Sequence, residues 1–166
     1  MRARTDNLLV TPSEAVSVLR SLEPRAVRAR ETDITKLTPA RLRYLEGYGV
    51  SPTVPGSGIK GQAGSRLYGV ADIAILRVWL RLSAMMPMTA RFTFAYLGEE
   101  IRNALVHRRA LVLVVRGKRA ELLTVREASR VDAAVAIPLL DVLDGVVEAI
   151  VALREDHPEL WAGRAW

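Results

Sequence analysis

RLYGVADIAILRVWLRL, residues 66–82, decides how the rest of this chain is read. Arg66 and Tyr68 belong to a short expected strand, and Asp72 follows in the first turn of a helix, where a carboxylate suits the positive end of the helix dipole. From Val70 onward the residues are apolar nearly all round, with Asp72, Arg77 and Arg81 as the charged positions. A helix of that composition is buried on several sides, and Ile73, Leu76, Trp79 and Leu80 are its expected core residues. Upstream, LTPARLRYLE, residues 37–46, sets the Thr38 hydroxyl at an N-cap and Pro39 at the first helical position. Leu42, Leu45 and Tyr48 share one face of that short helix, which leaves Arg41 and Arg43 on the other. Between the two segments, residues 51–65 are rich in glycine, with Pro52, Pro55 and Lys60. Such a stretch buries no core and lets backbone approach phosphate closely.

Thr38, then Leu42-Arg43-Tyr44, then Arg66-Leu67-Tyr68, then Asp72 make one ordered set. On these residues the segment from about Val27 to Leu82 resembles the winged helix-turn-helix domain of MerR-family transcription regulators. Leu45 stands where that family usually has a second aromatic, and Lys36 where the turn before the recognition helix usually has glycine. The resemblance implies a bacterial, sequence-specific regulator that binds double-stranded DNA as a homodimer. Thr38, Arg41 and Arg43 would then lie on the reading helix. Lys60, Arg66 and Tyr68 would hold the wing against phosphates, and Tyr44 would be either a core residue or a phosphate contact.

Charge is distributed in a way that fits this expectation. The 166-residue chain carries a net charge of +6, and residues 25–91 hold eleven Lys/Arg against four Asp/Glu, whereas residues 132–166 hold two against seven. A basic middle suits a polyanion, and an acidic end suits something else, such as a protein partner. The chain has no cysteine, so disulfides and thiolate metal sites are excluded, and His107 and His157 have no partner at ligand spacing. No metal and no cofactor is expected. Gly56-Ser-Gly-Ile-Lys60 only superficially suggests a phosphate loop, since no strand precedes it and no hydroxyl follows the lysine. Glu99 and Glu100 are adjacent and point to different helix faces. The expectation is therefore binding, not catalysis. No apolar run reaches a membrane span and no signal-peptide core follows Met1, so a cytoplasmic protein is expected.

The remaining elements follow from local patterns. Residues 1–10 read as an arm. Thr11-Pro12-Ser13-Glu14 is a capping box that opens a helix with Ala15, Val16, Leu19 and Leu22 on its apolar face, and Pro24 stops it. Met85, Met86 and Met88 around Pro87 read as a hinge or linker. A helix from Thr89 is expected to bury Phe92, Tyr96, Ile101 and Leu105. Leu111–Val115 and Ala120–Val125, joined through Gly117-Lys118, read as a β-hairpin whose tip carries Arg116, Lys118 and Arg119. That tip suits phosphate contact, although a solvated turn is the simpler account.

The last helix, from about Ile137 to Glu155, bears a broad apolar stripe. Leu143, Val147 and Ile150 within it are the expected dimer interface. The predicted fold is mainly α with small β: an N-terminal arm and helix (1–26), a winged helix-turn-helix (27–88), and a small α+β dimerisation or partner-binding module (89–166). Two other readings stand beside the regulator. One is an antitoxin that represses its own operon and grips a basic toxin through the acidic module. The other is a protein–protein adaptor with a repurposed helix-turn-helix.

Overall fold

The computed structural model describes residues 8–23, 37–40, 42 and 67–160, with backbone alone for 87–92 and 160. These residues build a mixed α/β arrangement in which helices gather on a three-stranded antiparallel sheet. The first helix, α1 (Pro12–Leu22), starts where the capping box requires. The Glu14 amide donates to Thr11 Oγ1 at 3.3 Å, and the Thr11 amide donates to Glu14 Oε2 at 2.7 Å. Two donors that the first helical turn leaves without a backbone partner are thereby satisfied. Ala15, Val16, Val18 and Leu19 form the buried face.

Just before α1 the expected arm is pinned. Val10 is fully buried and forms an antiparallel bridge with Tyr68, amide to carbonyl in both directions at 3.0 and 2.8 Å. Helix α2 (Val70–Met85) follows, and the all-round apolar composition has the expected consequence. Val70, Ile73, Ala74, Ile75, Leu76, Val78, Leu80 and Leu82 are all buried, and Trp79 is half-buried against the same core. The methionine-rich stretch is no extended linker. Met86 alone interrupts the chain before α3 (Pro87–Val106), because Pro87 has no amide to continue α2 but fits a first helical turn. The two helices then pack directly on one another.

Helix α3 buries Phe94, Ile101, Ala104 and Leu105, but not Tyr96, which is 79% exposed. The expected set Phe92, Tyr96, Ile101, Leu105 contains a five-residue step from Tyr96 to Ile101, and at about 100° per residue that step leaves the face on which Ile101 lies. Just past the helix end, Arg108 takes φ 49°, and the Arg109 amide donates to the Ala104 carbonyl at 2.8 Å. The hairpin is then as expected: β1 (Leu111–Arg116) pairs with β2 (Arg119–Thr124). Gly117 takes φ 57° at the first turn position, a conformation that costs glycine little.

Two elements escape the sequence patterns. Thr124 and Glu127 make a second capping box and open a one-turn helix, α4 (Val125–Ala128), which lies against β1 and β2. Ile137 and Pro138, expected to begin the last helix, instead end a third strand, β3 (Val135–Pro138), on the other edge of β1, with Leu113 opposite Ile137. The sheet order is therefore β2-β1-β3. As the central strand, β1 buries Val112, Leu113, Val114 and Val115 on both faces.

Helix α5 (Leu139–Asp156) corrects the expected dimer seam. It packs against α1, α2, α3, β1 and β3 of its own chain. Leu143 is 3% exposed and Ile150 fully buried, and Val147 packs against the same cluster. Its stripe is broad because five neighbours share it. Among the described residues one continuous cluster runs from Val10 through α2 to Ile150. Ile150→Ala should lower the unfolding free energy by about 2–5 kcal/mol at every protein concentration. Val151→Ala, on the exposed side of the same turn, should cost about 0.5 kcal/mol or less. Urea melts of the two variants over a hundred-fold range of concentration check this. A small or concentration-dependent loss for Ile150→Ala would return that side chain to an interface.

Candidate functional site

The described start of the short helix at Pro39 is seated by two leucines. Leu37 and Leu42 are 1% and 0% exposed, whereas Thr38, Pro39 and Ala40 face outward. The Leu42 amide donates to the Thr38 carbonyl at 3.1 Å, and Arg20 on α1 donates to the Leu37 carbonyl at 2.8 Å. An apolar residue on either side of an exposed cap fixes the entry angle of a helix while leaving its first turn open to a ligand. Of the expected DNA-contacting residues, Arg41, Arg43, Tyr44, Lys60 and Arg66 lie outside the described residues. Thr38 is exposed as a contact requires. Tyr68 is not: its side chain is wholly buried beside the Val10 bridge and offers no surface to a phosphate. In this structure it is a core residue.

Two acids hold the frame, Asp72 buried and Glu23 partly buried. Asp72 accepts from the Gly69 amide at 2.8 Å and pairs with Arg102 of α3 at 3.3 Å. It is 3% exposed. Burial pushes its pKa from 3.8 up to about 6, against the opposing effects of the Gly69 hydrogen bond and the Arg102 charge. Glu23, at the end of α1, receives two guanidinium groups on one oxygen: Arg77 Nε at 2.7 Å and Arg81 Nε at 2.6 Å. Arg77 also donates to the Val142 carbonyl of α5 at 3.3 Å. It crosses α5 at Gly145, where a Cβ would lie only 2.5 Å from its Nη1.

On the far side of α3 the hairpin tip and the helix enclose a groove of about 650 Å³. Thr93, Tyr96 and Leu97 of α3 line one wall; Arg116, Lys118, Arg119 and Glu121 of the hairpin line the other. Arg116 is ion-paired with Glu121, whereas Lys118 and Arg119 are exposed and have no acidic partner among the described residues. Thr93 is 4% exposed, and its hydroxyl oxygen is buried without a hydrogen-bond partner. The three cations are visible as a cluster in the sequence. That α3 lies beside them, and that Tyr96 faces the groove, depends on contacts between distant segments and has no local signal.

Among the described residues no group of three or more His, Asp or Glu side chains is placed to hold a metal ion, and no helix is long and apolar enough to cross a membrane. Comparison with protein-family models, with characterised proteins and with solved structures finds no match to this chain.

Asp72 gives a pH test with a defined sign. Between pH 3.8 and about 6 the folded chain holds a proton at Asp72 that the unfolded chain has released, so stability falls as pH rises through that window and levels off above it. Asp72→Asn keeps an oxygen for the Gly69 amide and removes the titration. Its unfolding free energy should gain on that of the unsubstituted protein from pH 4 to pH 6.5, measured by urea denaturation. Parallel profiles would show that Asp72 ionises as it does in the unfolded chain. The second acid behaves differently, because two arginines depend on it. Glu23→Gln leaves a buried guanidinium without its counter-charge and should cost about 3–5 kcal/mol, whereas Glu23→Gln combined with Arg77→Met should recover part of that loss.

Proposed function

We propose that this chain is a sequence-specific DNA-binding transcriptional regulator whose reading element is the short helix opening at Thr38. The observation that carries the proposal is the seating of that helix: Leu37 and Leu42 are in the core, and the cap and first-turn residues Thr38, Pro39 and Ala40 face solvent. An exposed helix start joined to a basic stretch of chain suits the major groove and the phosphates beside it. The charge of residues 25–91 and the MerR-like order of Thr38, Leu42-Arg43-Tyr44 and Arg66 support the same reading. In this proposal Arg41 and Arg43 face the duplex and Lys60 and Arg66 hold phosphates. Tyr68 and Asp72 act as internal braces. The homodimer belongs to the proposal as well, built on a surface other than the Leu143 and Ile150 stripe.

One observation favours the antitoxin or adaptor reading as the second choice. The outward face of α5 carries Asp141, Asp144, Glu148, Glu155 and Asp156, all exposed, and Asp144 is paired with Arg108. A carboxylate face of this kind suits a basic protein partner and repels a polyanion.

Fluorescence anisotropy on a duplex recovered by genome-wide footprinting separates these readings. The logarithm of affinity should fall linearly with the logarithm of salt concentration, by about 0.9 for each phosphate contact. Arg66→Ala should make that slope shallower by about 0.9. A footprint confined to the chain's own promoter, with a basic protein co-purifying, would favour the antitoxin. No footprint together with salt-insensitive binding would end the DNA proposal.

A further inference from the structure

We infer that the groove between α3 and the hairpin tip is a binding site for a small nucleotide, separate from the surface assigned to duplex DNA. Three features of the groove meet in that ligand and in few others. Tyr96 is a 79% exposed aromatic side chain on the groove wall, and an aromatic ring is a stacking platform for a base. Lys118 and Arg119 on the opposite wall are exposed cations, which suit phosphate oxygens as a point charge and a planar fork respectively. Thr93 brings the third feature: a buried hydroxyl with no hydrogen-bond partner beside the groove. A buried polar group left unpaired is unfavourable and is ordinarily met by a ligand, a water molecule or another side chain.

Size and charge choose a free nucleotide over a nucleic-acid strand. At about 650 Å³ the groove falls within the range of about 300–1,000 Å³ typical of small-molecule sites. Glu121 also sits on its cationic wall, ion-paired with Arg116. A continuous polyanion would run its phosphates past that carboxylate, whereas a single nucleotide places its phosphate at Lys118 and Arg119 and leaves Glu121 to hold the Arg116 guanidinium in place.

Titration calorimetry with AMP, GMP, CMP and UMP, and with inorganic phosphate as the probe without a base, tests the inference on the full chain. At least one nucleotide should bind saturably and about ten-fold more tightly than phosphate, the gain expected of one stacked base. Tyr96→Ala should abolish that advantage, and Lys118→Ala with Arg119→Ala should weaken the nucleotide about ten-fold. Since these side chains are exposed, the melting temperature without ligand should not change. Thr93→Val separates binding from folding. It removes a hydroxyl that has no protein partner, so it should leave stability unchanged or raised while lowering nucleotide affinity. Absence of saturation with all four nucleotides would overturn the inference, as would equal affinity for phosphate alone or affinity unaltered in the Tyr96 and Thr93 variants. Binding of a single-stranded oligonucleotide without any mononucleotide binding would replace the site with a strand-binding surface.

Discussion

The Arg77 guanidinium is the constraint on which the described fold depends. A charge buried to 9% side-chain exposure is tolerated only when it is paired and its remaining donors are occupied. Glu23 supplies the counter-charge from the end of α1, and the Val142 carbonyl on α5 accepts a second donor. Three helices are thereby fixed around one side chain. Gly145 completes the arrangement, because any residue with a Cβ would push against the guanidinium where it passes over α5. Arg81 shares the same Glu23 oxygen, so the acid balances two arginines at once.

That clamp explains why the apolar stripe of α5 is turned inward. Held against α2 by Arg77, it meets α1 and α3 as well and lies over the sheet through β1 and β3. Most of its apolar stripe is consumed within the chain, and what it turns outward is mainly carboxylate, with Val151 and Ala152. The surfaces left for other molecules therefore differ in chemistry. The helix start at Thr38 is an exposed cap, the hairpin groove pairs an aromatic ring with cations, and the outer face of α5 is largely acidic.

The resemblance that organised the sequence also changes meaning once burial is known. Tyr68 and Asp72 belong to the ordered set suggesting a DNA-binding wing, yet both are buried, one beside the Val10 bridge and the other between Gly69 and Arg102. Their spacing reflects a demand of packing. A strand that must dock and a helix that must be capped next to it require an aromatic and an acid at those positions, whatever the outer surface binds.

Local order was legible from sequence alone wherever it depends on residues within about four positions of each other. The capping box at Thr11 and Glu14, the buried composition of α2 and the Gly117 turn all have that character, and all stand where they were expected. The same kind of signal was present but overlooked for α4, in Thr124 and Glu127. β3 was hidden because four residues running directly into a helix carry too little period to separate the two. Tertiary structure decided the rest: which apolar stripe became core, that Tyr96 faces a groove, and that Arg77 finds Glu23 across 54 positions. An apolar or charged side chain declares in the sequence what kind of neighbour it needs. Which neighbour it receives depends on how distant segments pack.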